Sequence, residues 1–278
     1  MRITNFYNLP DAIVKACGEG KRKPSENYFS VTSLIDAPLI RQLTIKHYDE
    51  LEEDVSDRLW ALMGSSVHGV IENNLNPFSE MPLEIEIDGT TIRGRLDLLD
   101  EDKILRDWKC TSVYSFLLGD KLDWEQQLNI YAYILRKTRH EVRGLTINAI
   151  LRDWSKRKAE MENDYPPIAF VEKQIELWTM ERAEAFIRER IRLHQLPTPP
   201  PCTADEKWEK PTKYALMQKG RKRAIKLYSS QFEAETCCDK EKKQYVELRA
   251  GECTRCKSYC AVRKFCPEGI KTQKESEG

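Results

Sequence analysis

The sequence has no apolar stretch approaching the roughly 20 consecutive residues that a membrane-spanning helix needs, and its first residues contain no apolar run of the signal-peptide type. Neither sign of charge is in excess, because Lys and Arg total 45 and Asp and Glu also total 45. The chain therefore has no global field that would draw it to nucleic acid, and any such contact must come from local basic patches. The expected compartment is the cytoplasm, with no membrane contact.

Without a secretory signal, the nine cysteines are not expected to form a disulfide framework. Four of them, in the pattern Cys253-x2-Cys256-x3-Cys260-x5-Cys266, fall within fourteen residues and are followed by a proline. Four unrelated buried cysteines explain this density poorly, so the cluster indicates a metal site. Zinc and a 4Fe–4S cluster both accept four thiolates, but zinc sites usually pair two CxxC-like knuckles, and only Cys253 and Cys256 form one.

A length of 278 residues suits one large domain or a core with an appendage. The proline-rich run at 197–201 is a stiff spacer and the clearest boundary in the chain. We therefore divide the chain into four parts, which are an N-terminal segment (1–27), a core (28–196), a C-terminal cysteine region (197–270) and a disordered tail (271–278).

Hydrophobic periodicity and turn signals predict a mixed α/β core. The predicted elements are a helix from about Val55 to Asn74, a strand at Leu83–Ile87 with a turn at Asp88-Gly89, a helix at Asp123–Lys137, a buried strand at Leu145–Leu151, a short strand at Ile168–Val171 and a long helix at Glu172–Leu196.

Two apolar-rich runs, Thr91–Leu98 and Ile104–Cys110, flank the acidic cluster Asp100-Glu101-Asp102 and predict a β-hairpin. If the turn centres on the middle residue of that cluster, Leu105 lies opposite Asp97. We thus expect three antiparallel strands in sequence, counting Leu83–Ile87 as the first.

Side chains alternate along a strand, so Asp107 and Lys109 must point the same way. Asp97 then projects from the same face, one pleat step from Asp107. Two carboxylates and an ammonium group converging on one patch suit a hard divalent cation, with the lysine placed to orient or help deprotonate a water molecule. The alternative is an ordinary solvated strand face.

Two helices carry further candidates. His68 follows Gly64 by one turn on the first, although a single helical histidine is more often a packing residue than a ligand. On the second, Gln127 and Tyr131 are one turn apart beside the apolar stripe, so their polar ends lie together. The alternative for this helix is simple coverage of the sheet.

The segment 152–158 interleaves cations with Trp154. This composition suits phosphate contact combined with base stacking, and a solvated loop is the alternative.

Four short motifs follow one another in compact order, namely Gly64-x-x-x-His68, Gly94-x-x-Asp97, Asp107-Trp-Lys109 and Gln127-x-x-x-Tyr131. Their order resembles that of the PD-(D/E)XK nuclease superfamily, specifically its RecB-like branch, which includes CRISPR-associated exonucleases and many phage recombination nucleases. The resemblance spans roughly residues 28–195 and implies a restriction-endonuclease-like core, a mixed sheet flanked by helices, with a C-terminal cysteine-bound metal or cluster region.

The resemblance also implies roles for the matching residues. Asp97 and Asp107 would ligate Mg²⁺ or Mn²⁺, and His68 and the Trp108 carbonyl would complete the ligand set. Lys109 would steady the attacking water and the charge developing on phosphorus. The remaining roles are positioning by Gln127 and Tyr131 and an accessory acid at Glu86.

Relatives of this kind usually take a distant cluster ligand from a cysteine before the core, where this chain has Ala37. Cys202, directly after the proline run, is our substitute. We expect a 4Fe–4S cluster, with structural Zn²⁺ as the alternative, held by Cys202, Cys256, Cys260 and Cys266, with Cys253 as the alternate ligand.

The expected function is metal-dependent hydrolysis of DNA, by an exonuclease acting on single strands or duplex ends in recombination, repair or phage DNA processing. A catalytically silent DNA-binding or partner-docking module and a structure-specific endonuclease are the alternatives. DNA is the expected partner, and a recombination or helicase partner and homo-oligomerisation stay open.

Overall fold

The computed structural model describes residues 1–18, 22–72, 80–117 and 121–277. The chain divides into two compact units, Met1–Pro199 and Pro200–Gly278. Across the described ranges, none of the helices combines the length and apolar character needed to cross a membrane.

The first unit contains nine strands and eight helices among its described residues. The strands are β1 (Arg2–Thr4), β2 (Tyr28–Ser30), β3 (Glu52–Asp54), β4 (Pro82–Ile87), β5 (Thr90–Arg95), β6 (Leu98–Leu99), β7 (Ile104–Thr111), β8 (Gly144–Leu151) and β9 (Phe170–Ile175). The helices are α1 (Asp11–Cys17), α2 (Val31–Ile35), α3 (Pro38–Lys46), α4 (Leu59–Glu72), α5 (Tyr114–Leu117), α6 (Leu122–Lys137), α7 (Lys156–Met161) and α8 (Met180–Gln195).

Three sheets organise this unit. The largest has the order β6-β7-β8-β9, in which β7 and β8 are parallel and the outer pairs are antiparallel. A second sheet has the order β2-β5-β4, and β1 pairs with β3, which ties the N-terminal residues to the unit. The predicted turn between β4 and β5 is confirmed, because Asp88 (φ 50°) and Gly89 (φ 70°) both adopt the positive φ that a tight hairpin requires.

Helix α6 lies at the centre of the hydrophobic core. It matches the predicted helix apart from starting one residue earlier, and nine of its residues are buried. Among them is a polar side chain, Asn129, whose amide donates to the carbonyl of Glu176 and whose oxygen accepts from the amide of Trp178. Because a buried backbone group needs a partner, these bonds fix α6 against the segment that precedes α8.

The long helix predicted from Glu172 is wrong in its first part. Residues 170–175 instead form β9, which pairs antiparallel with β8 from Phe170 opposite Ile150 to Ile175 opposite Leu145. Helix α8 begins only at Met180. Thr179 is the N-cap of this helix, because its side chain accepts a hydrogen bond from the Arg182 N–H. The Glu, Lys and Gln residues at 172–174 favour a helix locally, and pairing with the buried strand overrides that preference.

The predicted helix from Val55 starts as a tight turn at Val55–Arg58 and becomes α4 at Leu59. Its expected end at Asn74 lies outside the described residues.

The predicted hairpin register is wrong by two residues. Leu105 pairs with Leu99 instead of Asp97, because Asp100 accepts hydrogen bonds from both Lys103 N–H and Ile104 N–H and so sets the turn one residue later. Continuing this pairing by one step places Asp97 directly opposite Asp107. The predicted strand Thr91–Leu98 is also interrupted after Arg95, and the two halves belong to different sheets.

The half-buried imidazole of His194, in α8, packs against Phe29 with the ring centroids 5.0 Å apart. Its Nε2 lies 2.9 Å from the Leu34 carbonyl oxygen. The pKa of His194 is lowered to about 4, mainly by burial and also by the positive charges of Arg190 and Arg41. The hydrogen bond to Leu34 and the negative charge of Asp36 oppose this shift.

The second unit has two small sheets, with the orders β12-β11-β13 and β10-β14. Its elements are β10 (Glu209–Lys210), β11 (Lys213–Gln218), β12 (Lys226–Tyr228), α9 (Gln231–Thr236), β13 (Gln244–Arg249), β14 (Glu252–Cys253) and α10 (Pro267–Glu277). Residues 271–277, expected to be disordered, continue α10, and the side chain of Thr272 bonds the carbonyl of Glu268 one turn earlier.

Candidate metal and catalytic centre

Asp97 lies at the bend between β5 and β6, where the chain passes from one sheet to the other. Its Oδ2 accepts a hydrogen bond of 2.6 Å from the amide of Trp108, and its own carbonyl accepts one of 3.0 Å from the amide of Glu80. Backbone contacts on two sides therefore fix this carboxylate beside β7.

Asp107 and Lys109 project from the same face of β7. Lys109 Nζ lies 2.6 Å from Asp107 Oδ2. The amide of Gln127, on α6, completes a triangle, because its Nε2 donates to Asp107 Oδ1 at 3.2 Å and its Oε1 accepts from Lys109 Nζ at 3.3 Å. One glutamine thus holds both the acid and the amine.

Tyr131 supports this triangle from one turn further along α6. Its hydroxyl interacts with the Gln127 side chain, and burial raises its pKa to about 12, so it stays a neutral hydrogen-bonding group. The ring packs directly over Gly94, where an added Cβ would lie 3.1 Å from both the ring Cζ and the hydroxyl oxygen and closer still to Cε1. The glycine of the Gly94-x-x-Asp97 motif therefore makes room for the tyrosine of the next motif.

His68, Glu80 and Asp97 form the group best suited to a cation. Among the residues that the structure describes, they alone provide three candidate ligand atoms that all lie within 4.8 Å of one another. His68 Nδ1 is 3.6 Å from Asp97 Oδ2. A mixed set of one imidazole and two carboxylates suits Mg²⁺ or Mn²⁺.

Sequence reasoning missed Glu80 and named Glu86 instead. Glu86 is an exposed residue of β4 opposite Thr91, at the end of the sheet remote from Asp97. Glu80 precedes β4 with a positive φ of 52°, unusual for a glutamate, and no local pattern predicts that conformation. Its pairing with Asp97 through the backbone is visible only in the fold.

The electrostatics of the centre favour a cation. Burial and, to a smaller extent, the charge of Asp107 raise the pKa of Asp97 to about 6 against the opposing effects of the Trp108 amide, His68 and Lys109. Two carboxylates held this close repel each other, and a divalent ion relieves that repulsion.

An unsatisfied atom supports the same conclusion. Asp107 is 3% exposed, and its Oδ2 has no hydrogen-bond partner. The close Lys109 ammonium forms an ion pair with this oxygen, but without the direction of a hydrogen bond. A buried carboxylate oxygen with free acceptor capacity is a suitable ligand for a metal ion, so the side chains present at this centre fit a divalent cation. Asp107 is not, however, part of the group formed by His68, Glu80 and Asp97.

Trp108 contributes its amide to Asp97, whereas its side chain projects from the opposite face of β7. There it neighbours Asn148 of β8, and both its indole Nε1 and the Asn148 side-chain oxygen are buried without a hydrogen-bond partner.

The five candidate cysteine ligands all lie in the second unit, half-buried or buried. Burial raises the pKa of Cys202 to about 12, with the charges of Glu206, Cys266 and Cys256 contributing and that of Arg255 opposing the rise. Burial likewise raises that of Cys256 to about 11, with Cys253, Cys260 and Cys266 adding to it. Among the described residues, no three of these five sulfurs lie within 4.8 Å of one another.

Close backbone packing shapes this cysteine region. A Cβ added at Gly269 of α10 would collide with the carbonyl oxygen of Arg263, so only glycine allows α10 to lie against the turn that links Cys260 and Cys266. Cys266 directly precedes the proline that starts α10, a favoured first helical residue.

A mixed sheet is flanked by helices, its strand β7 carries Asp107 and Lys109, and Asp97, His68 and Glu80 lie beside that strand. This arrangement suits metal-assisted hydrolysis of phosphodiesters. A family model of the PD-(D/E)XK nuclease superfamily matches residues 29–267. The chain therefore belongs to the PD-(D/E)XK nuclease superfamily, and the predicted resemblance is confirmed at that level.

Other comparisons add little. A solved structure described as "Crystal structure of SSO0001" is similar to this chain at 21% identity and a TM-score of 0.45, covering 67% of this chain and 85% of that one. A likeness this distant carries no argument about function. No curated protein matches the chain.

Proposed function

We propose that the protein is a metal-dependent DNA exonuclease that acts on single strands or duplex ends. The observation that carries this proposal is the joint placement of Asp97, Asp107 and Lys109 beside His68 and Glu80. A binding module without chemistry would have no use for a buried acid whose oxygen lacks a hydrogen bond, paired with a lysine in the same cleft.

In this proposal His68, Glu80, Asp97 and Asp107 hold Mg²⁺ or Mn²⁺, with the Trp108 carbonyl as a further ligand. When bound, the ion supplies charge neutralisation for the phosphodiester and activation of water. Lys109 places its ammonium where it can orient the attacking water and stabilise charge on phosphorus.

Gln127 and Tyr131 act as positioning residues. Gln127 holds Lys109 and Asp107 at a fixed separation through its two amide atoms. Tyr131 in turn buttresses Gln127, and its high pKa keeps it uncharged beside the two acids.

Cleavage of end-labelled DNA tests the proposal. The wild type should degrade linear single strands with Mn²⁺ or Mg²⁺ and leave circular single strands intact, whereas cleavage of circles would favour a structure-specific endonuclease. Asp97→Ala and Lys109→Ala should fold normally by circular dichroism and lose cleavage. Full activity in either folded variant would remove the assignment of these residues. No cleavage of linear or circular DNA by the wild type would favour a DNA-binding module.

The finer placement in the RecB-like branch, and a role in recombination, repair or phage DNA processing, are part of the proposal. The order and spacing of the four motifs support them.

For the second unit we propose a structural 4Fe–4S cluster held by Cys202, Cys256, Cys260 and Cys266, with Cys253 as the alternate ligand. Thiols with raised pKa values stay protonated at neutral pH unless a metal binds them. Zinc sites usually pair two CxxC-like knuckles, and only Cys253 and Cys256 form one here, whereas closely spaced thiolates with one distant ligand suit a 4Fe–4S cluster.

Iron and sulfide analysis with a visible spectrum of anaerobically purified protein tests this assignment. A brown protein containing iron and sulfide would support the cluster. A colourless protein with one zinc ion would replace it with the zinc alternative.

A further inference from the structure

The basic segment 152–158 does not use its tryptophan for stacking. Trp154 is half-buried against the hydrophobic core, and its indole donates a 2.8 Å hydrogen bond to the Pro166 carbonyl. The sequence prediction that this ring stacks on a base therefore has no support in the fold. The cations of the segment meet other aromatic rings instead.

Two exposed aromatic rings each lie beneath a cation of this segment. Trp60 of α4 is 61% exposed, and the Arg152 guanidinium lies 4.2 Å from its ring centroid. Tyr114 of α5 is 47% exposed, and Lys158 Nζ lies 5.1 Å from its ring centroid and donates to its hydroxyl at 2.9 Å.

Both pairs adjoin the end of the strand that carries the candidate catalytic residues. The amide of Arg152 donates to the Thr111 carbonyl at 2.9 Å, and Thr111 follows Lys109 by two residues on β7. Tyr114 follows Thr111 by three residues. On α4, Trp60 is eight residues from His68, which is about 12 Å along the helix axis. The same helix therefore carries the exposed ring and one candidate metal ligand.

We propose that Trp60–Arg152 and Tyr114–Lys158 form a stacking surface that binds a single DNA strand and leads it to the Asp107–Lys109 centre. This inference rests on the proposed nuclease function and names the form of its substrate.

The chemistry of the surface fits this occupant. An exposed ring accepts a base of any identity by stacking, and the cation beside it is within reach of the flanking phosphates. The segment carries four cations at 152–158 against one acid, Asp153, and that acid already accepts hydrogen bonds from Ser112 Oγ and the Val113 amide. A duplex, whose bases are stacked internally, could not use the two rings in this way.

Anisotropy of a fluorescent oligothymidylate in EDTA, which prevents hydrolysis, tests the surface directly. Trp60→Ala and Tyr114→Ala should each raise the Kd about 5- to 150-fold, the equivalent of losing one stacked base, and Trp60→Phe should retain most of the affinity. The matched control is Tyr28→Ala, because Tyr28 is also an exposed tyrosine under an arginine, Arg93. It lies beside Thr91, about 13 Å along β5 from Arg95, the last residue of that strand before Asp97, so the Kd of this variant should stay unchanged.

The salt dependence separates stacking from charge. Arg152→Gln should reduce the slope of log Kd against log salt concentration by about 0.7, the value for one phosphate contact with a single strand, whereas Trp60→Ala should leave that slope unchanged. With Mn²⁺ present, Trp60→Ala should raise the KM for single strands without lowering kcat.

The outcomes distinguish this inference from the proposed function. If the wild type cleaves DNA but folded Trp60→Ala and Tyr114→Ala bind the oligonucleotide as it does, or if Tyr28→Ala loses as much affinity as they do, the stacking surface is refuted alone. If the wild type neither cleaves nor binds single strands, both proposals are wrong.

Discussion

Replacing Gly94 with alanine tests whether the active centre depends on the close contact between Gly94 and the ring of Tyr131. A methyl group at this position would lie 3.1 Å from Tyr131 Cζ and closer still to Cε1. Because carbon atoms pack at about 3.5–4.0 Å, the ring must move by about 1 Å. Overpacking of this kind costs about 1–3 kcal/mol of stability. The same movement displaces Gln127, which holds Lys109, and a misplacement of about 1 Å at a reacting group lowers the rate by about a hundredfold.

Chemical denaturation gives the free energy of unfolding, and the initial rate of degradation of end-labelled DNA gives the activity. Gly69→Ala is the matched control, because a Cβ at Gly69 meets no atom within 4 Å. Since Gly69 lies within α4, its replacement should stabilise the protein by about 0.5–1 kcal/mol and preserve cleavage.

A double-mutant cycle isolates the contact itself. If the clash with the ring is the cause, Gly94→Ala should destabilise the wild type but add almost nothing in a Tyr131→Ala background. Contact with the Tyr131 ring is excluded as the cause if Gly94→Ala retains both the stability and the cleavage rate of the wild type, or if it lowers stability equally in both backgrounds.

Further predictions concern pH, positioning and metal removal. The imidazole of His194 has a folded pKa of about 4 against 6.5 when unfolded, so the unfolded state binds more protons between these values. Stability should therefore fall by up to about 3 kcal/mol as pH drops from 6.5 to 4, and His194→Gln should flatten this slope in urea titrations. Gln127→Leu should lower kcat at least about tenfold by releasing Lys109, while Gln126→Leu, which changes the neighbouring residue, should not. EDTA should abolish cleavage of labelled DNA, and added Mn²⁺ should restore it, whereas cleavage that persists in EDTA would contradict the metal requirement.

The local spacing of apolar and polar residues was sufficient to predict several elements of the core. The apolar spacing of α6 predicted its helix to within one residue, because a stripe every three or four positions is a property of the segment itself. Strand alternation likewise predicted that Asp107 and Lys109 share a face, and they lie 2.6 Å apart.

Features that depend on distant partners escaped prediction. The predicted strand at Ile168–Val171 overlaps β9 only at the first two residues of β9. The rest of β9, from Glu172 to Ile175, is a strand because β8 pairs with it, although its composition favours a helix. The break after Arg95 reflects the transfer of the chain between two sheets, which no local signal marks. Glu80 joins the centre through a backbone contact with Asp97 and a strained φ, and neither is encoded in a recognisable spacing.

Binding of Mn²⁺ by the wild type and Asp97→Asn, measured by isothermal titration calorimetry alongside DNA cleavage, tests whether Asp97 holds the catalytic metal ion. The exposed acid Glu86 supplies the control variant Glu86→Gln. The wild type and Glu86→Gln should bind Mn²⁺ and cleave DNA, whereas Asp97→Asn should bind the ion at least about tenfold more weakly and should not cleave. A folded Asp97→Asn protein that binds Mn²⁺ and degrades DNA like the wild type would contradict this role of Asp97.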